Sequence, residues 1–169
     1  MRLVSFFILL SFFSCNNSNN QEVNDTAINQ IELVSKADVA QIDYIEFLPD
    51  SKVKREIGSW EKYQEIDRIV QDVKNANVSF FRSNSEMINT LIEELKTSIP
   101  NAVDSPQVQS RMIALETKMF KLESVVNLSN VEKNTLIEAI SEFLMAFSNL
   151  NLQMNKKIEK ESQNIVRPS

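Results

Sequence analysis

Cys15 is the one residue whose type and position suggest a specific reaction. It is the only thiol in the chain and it closes an apolar N-terminal run. A cysteine acts chemically through its sulfur, so Cys15 is a candidate for covalent acylation. Other chemistry is short of parts. The 169 residues contain no histidine, hence neither the commonest general base nor the commonest transition-metal ligand. A single glycine, Gly58, leaves no Gly-rich phosphate loop. Glu93 and Glu94 are adjacent, so on a helix they point about 100° apart and cannot share a proton or a metal. Glu138 and Glu142 share a helical face and have the types for cation binding, but with no histidine beside them they read as a solvated face. Met87, Met112, Met119, Met145 and Met154 fall at helical spacing and read as core filler. No catalytic, cofactor or metal site is assigned, and the chain is expected not to be an enzyme.

Arg2 supplies a positive start, Leu3–Phe13 an apolar segment, and Ser14-Cys15 its end. The apolar run is shorter than the ~20 residues that span a bilayer, which makes it a targeting segment rather than part of the fold. These residues resemble a bacterial lipoprotein signal. Phe12 stands where that family carries an aliphatic residue, and Phe13 where it carries a small one. The resemblance implies cleavage before Cys15, two acyl chains on its sulfur and usually a third on the new amino terminus. The implied partner is the lipid bilayer. Each buried methylene contributes about 0.8 kcal/mol and two chains anchor stably, so the lipid alone would hold the protein. The resemblance places the protein in the cell envelope. The expected site is the outer membrane, and the uncharged stretch 16–21 leans towards retention facing the periplasm.

The chain then divides into a leader (1–14), a lipid-anchored tether (15–30), an irregular or short helical lead-in (31–49) and a helical domain (50–165). The tether is polar and buries too little to order itself; a coil of ~15 residues spans roughly 20 Å. Within it Asp25-Thr26-Ala27 resembles short bacterial O-glycosylation sites. In the lead-in, Phe47-Leu48 before Pro49 is expected to pack onto the body. Losing Arg2 with the leader makes the chain one unit more negative than its −5, which disfavours nucleic acid as a partner.

One glycine and four prolines leave few tight turns, which points to an all-α fold. A helix capped by Asp50 or Ser51 is expected to run to Ser98, bending at Gly58-Ser59. Its stripe Val53, Ile57, Trp60, Ile66, Val70, Val73, Phe80, Met87, Leu91 and Leu95 passes through Asn77 and Asn84. Ser105-Pro106 opens a second helix with a heptad seam at Val108, Met112, Leu115, Met119, Leu122 and Val126. Ser129 and Glu132 have the spacing of a capping box for a third helix, to about Gln163, with Leu136, Ile140, Phe143, Phe147, Leu150 and Met154 buried. The register also runs unbroken through Ser129. The expected architecture is therefore an elongated antiparallel three-helix bundle or a long coiled-coil-like helical hairpin.

On the first stripe, Asn77 and Asn84 either fix register from within a seam or face solvent at its edge. Phe81 is either core on a second face or part of an exposed contact patch. The function expected is that of a membrane-tethered periplasmic lipoprotein acting as a structural or protein–protein interaction module with an unknown protein partner. The alternative is a periplasmic chaperone or stress-sensing lipoprotein that binds client proteins in a helical groove. The chain is loosely similar to uncharacterised helical lipoproteins of the outer membrane. It differs from the small wall-linked lipoprotein, which ends in lysine, because it ends Arg167-Pro168-Ser169.

Overall fold

Two heptad seams, the first opened by a proline-capped start, dictate the longest elements. The structure, a computed structural model, describes residues 33–163. The leader, Cys15, the tether and the tail from residue 164 lie outside the described residues. The described chain is all-α: α1 (Lys36–Ala40), α2 (Ser51–Glu56), α3 (Glu61–Lys74), a 3-10 turn (Ser79–Phe81), α4 (Ser85–Thr97), α5 (Pro106–Val126) and α6 (Lys133–Ser162). None of these helices is long and apolar enough to cross a membrane.

In α5 and α6 every residue of the two expected seams is buried. Ser105 caps α5 by accepting the Val108 N–H at 3.2 Å, with Pro106 in the first turn, where no N–H is needed. The helix start expected at Ser129 is corrected. Glu132 occupies the cap of α6 and Ser129 lies exposed in the linker. Residues 127–132 are spent reversing the chain, so residues 106–163 are not one helix. Lys118 of α5 meets Glu142 of α6 at 3.1 Å, and Lys121, further along α5, reaches back to Glu138 at 4.0 Å as well as to Glu142 at 2.8 Å, the pairing of antiparallel helices.

The first half departs most from expectation. The long helix 51–98 does not form; α2, α3 and α4 take its place. Asp50 caps α2 through the Lys52 and Val53 N–H groups, and the chain turns at 57–60, around Gly58. After Lys74 the chain closes a Schellman motif. Asn77 N–H returns to Asp72 O and Ala76 N–H to Val73 O, both at 2.9 Å, with Ala76 left-handed at φ 63°. Ser83 is also left-handed, at φ 52°. Between these two breaks the chain reverses. Lys62 of α3 then meets Glu94 of α4 at 2.7 Å, and Lys96 meets Glu116 of α5 at 2.9 Å. The four helices α3 to α6 therefore alternate in direction, where three were expected.

Across the turn the register shifts by one residue, while Leu91 and Leu95 of the expected stripe stay buried. Val78, Phe81 and Ile88 enter the core, while Asn77 and Met87 are exposed. A single core results, with Trp60 stacked on Tyr63 (5.6 Å), Tyr63 on Phe147 (5.5 Å), and Phe81 edge-on to Phe143 (5.5 Å).

Candidate functional site

Helix α6 carries Ser148, Asn151 and Asn155 one position after the buried seam residues Phe147, Leu150 and Met154. The spacing of three and four keeps them on one face, so they form a polar stripe beside the apolar one. Ser148 and Asn151 are only 3% and 1% exposed. Buried polar groups of this kind require partners, and here the partners are backbone.

Residues 42–50, between α1 and α2, form a strap without regular secondary structure along this stripe. The Ser148 hydroxyl donates to Ile45 O at 2.8 Å and accepts the Phe47 N–H at 2.7 Å. Asn151 Nδ2 donates to Phe47 O at 3.0 Å, and its Oδ1 accepts the Tyr63 hydroxyl at 2.9 Å. Asn155 Nδ2 donates to Leu48 O and its Oδ1 accepts the Asp50 N–H, both at 2.9 Å. Ile45, Phe47, Leu48 and Asp50 all turn main-chain groups toward α6. The strap runs parallel to α6, held like one edge of a β-ladder in which helix side chains replace the neighbouring strand.

The opposite wall is α3. Tyr63 closes the ladder from that side, and burial pushes its phenol pKa upward, with the Asp67 charge adding to the effect. Lys74 donates to Glu46 of the strap. Beneath the strap a crevice of about 10 Å³ remains between Val70, Leu144 and Phe147, room for one water at most. Tyr44 and Phe47 are half-buried against this groove, whereas Ile45 (73% exposed) and Leu48 (59%) point away. The expected packing of Phe47-Leu48 is therefore half right. Beyond Asn155 the stripe opens into a cleft of about 230 Å³ lined by Asp50, Lys52, Glu159 and Ser162 among others.

The residues singled out from sequence lie elsewhere. Cys15 is outside the described residues. Asn77 is exposed in the turn after α3 and its Oδ1 accepts the Ser79 N–H at 3.1 Å. Asn84 sits at the cap of α4 and donates to Phe80 O at 2.8 Å. Neither asparagine occupies a helical seam, so the register role is corrected: the left-handed residues 76 and 83 break the helix on which that role depended. Phe81 is fully buried core and not an exposed patch.

Glu142, weighed as a cation ligand, is instead bound by two lysines. Lys121 first and then Lys118 pull its carboxyl pKa down against the opposing effect of desolvation. Glu138 lies 4.0 Å from Lys121. Among the described residues no group of three or more acidic or cysteine side chains is placed to hold a metal.

The ladder was missed because serine and asparagine in a helix read as surface. Their alignment immediately behind three apolar seam residues was the available signal. No protein-family model matches this chain, and no curated protein or solved structure matches it.

Proposed function

We propose that this chain is a lipid-anchored envelope protein that works by protein–protein contact, tethered to the outer membrane through acylated Cys15 and facing the periplasm. The observation that supports contact as its business is the strap on α6. It buries two polar side chains to hold an extended segment, and it turns Ile45 and Leu48 to the outside. Large apolar side chains grouped on an exposed segment are a feature of contact surfaces. Supporting the anchor is the sequence Ser14-Cys15 behind an apolar leader.

Cys15→Ser is the direct test. It is expected to move the protein from the membrane to the soluble fraction, or to leave the leader uncut, and to abolish labelling by a palmitate analogue. Unchanged fractionation with no lipid label on the wild-type chain refutes the anchor. In-cell cross-linking from a photo-reactive residue at Leu48 is expected to trap another envelope protein; cross-links to nothing but the chain itself refute the contact role.

The chaperone alternative is favoured by one observation, that the groove grips backbone rather than side chains. Suppression of aggregation of an unfolded model protein by the purified domain distinguishes it from a dedicated adaptor.

A further inference from the structure

The groove between α3 and α6 is built to recognise a polypeptide backbone. Three side chains of α6 contact four strap residues, and every one of those contacts is to a main-chain N–H or C=O. Such bonds are indifferent to the side chains of the segment they hold. Ser148 and Asn151 are buried with the strap in place, and strap main-chain groups together with the Tyr63 hydroxyl meet their hydrogen-bonding capacity. The groove's present occupant turns Tyr44 and Phe47 inward and leaves Ile45 and Leu48 facing away from it.

The strap is also free to leave without unravelling its neighbours. Upstream, α1 is docked by buried Val39 and by the Asp38–Lys133 ion pair at 2.8 Å. Downstream, α2 is docked by buried Val53 and capped by Asp50 through its own N–H groups. With α1 and α2 held at either end, residues 42–48 can lift as a loop between two fixed points.

We infer that this groove is a receptor for an extended segment of a partner protein, and that the strap occupies it in cis until displaced. The inference deepens the protein-contact reading and rests on it. The strap shows what the ligand carries: an extended backbone, large apolar or aromatic residues at the positions of Tyr44 and Phe47, and a carboxylate for Lys74 where Glu46 now sits. The open cleft beyond Asn155 leaves room for a ligand longer than the strap. Because the free groove is only a fraction of the population, apparent affinity falls by that fraction, and loosening the strap restores it.

The probe is a fluorescein-labelled peptide with the sequence of residues 42–50, titrated by anisotropy into the full chain carrying Cys15→Ser. Binding is expected to be weak to this chain and at least about tenfold tighter when the protein also carries Phe47→Ala, which unseats the cis strap. Adding Asn155→Ala or Lys74→Glu to Phe47→Ala is expected to remove that gain, as is replacing glutamate by lysine in the peptide. Tyr44→Ala serves as the unseating variant if circular dichroism shows Phe47→Ala unfolded. Three results overturn the inference: no binding to either unseated variant, binding indifferent to Asn155→Ala, or dimerisation of the unseated variant with one copy's strap cross-linked into the other's groove. Failure of the peptide while cross-links from Leu48 still trap another protein removes the groove and leaves the contact role standing. Loss of those cross-links removes the contact role itself.

Discussion

Asn151→Ala tests the ladder at its most buried point. Asn151 is 1% exposed and joins two elements, accepting from the Tyr63 hydroxyl at 2.9 Å and donating to Phe47 O at 3.0 Å. Truncation removes both bonds and strands both partners. The Tyr63 hydroxyl has no exit to water, because the residue is itself buried. An unsatisfied buried donor costs about 1–3 kcal/mol. The Phe47 carbonyl belongs to a half-buried residue and rehydrates in part, so its loss sits at about 1 kcal/mol. The sum is roughly 2–4 kcal/mol, which at a urea m-value of about 2 kcal/mol/M lowers the midpoint by roughly 1–2 M.

The assay is urea denaturation followed by circular dichroism, with Tyr63→Phe as companion. Tyr63→Phe leaves Asn151 Oδ1 unpaired and is expected to cost about 1–2 kcal/mol alone. The double variant is expected to cost at least about 1 kcal/mol less than the sum of the singles, because the second change removes the group the first one stranded. A cost for Asn151→Ala below about 0.5 kcal/mol, or strict additivity, refutes the account of the ladder.

Phe81→Ala, at a fully buried site edge-on to Phe143, is expected to cost about 3–5 kcal/mol, while Asn77→Ala in the exposed turn costs under about 1 kcal/mol. Equal effects in thermal melts would put the register shift in error. Ala76→Gly relieves a left-handed backbone worth about 1–2 kcal/mol but raises the entropy of the unfolded chain, which costs roughly 0.5–1 kcal/mol. It is expected to be neutral or mildly stabilising; a loss above about 1 kcal/mol argues against the Schellman turn. The carboxyl of Asp38 is held below its usual pKa, chiefly by Lys133 and then by Ser35, and that of Glu142 by Lys121. A lowered folded-state pKa adds stability that is complete above the unfolded values near 4 and is lost as pH falls below them. Melting temperature should therefore drop as pH falls through and below 4, and Lys133→Ala should flatten that drop; an unaltered slope would count against the Asp38 pair.

Some of this was readable in the residues. Ser105-Pro106 opens α5 because a hydroxyl cap and a proline in the first turn both act within one turn of helix. The seams of α5 and α6 are buried as their spacing requires, since an unbroken helix keeps residues three and four apart on one face.

Other features were decided only by tertiary packing. The apolar stripe running from Ile66 through Asn77 and Asn84 to Leu95 is a regular heptad pattern on paper. The chain instead breaks there, because antiparallel α3 and α4 bury Val78, Phe81 and Ile88, a set one residue out of phase. Periodicity cannot reveal which of two adjacent phases the core will accept. The same holds for Ser148, Asn151 and Asn155. Alone on α6 they are ordinary polar residues, and they become a ladder only when a strap about a hundred positions earlier in the chain returns to lie on them. The polar stripe on α6 is visible in its spacing, whereas the groove exists only where α3, α6 and the strap meet, because spacing along one helix does not say which distant segment returns to it.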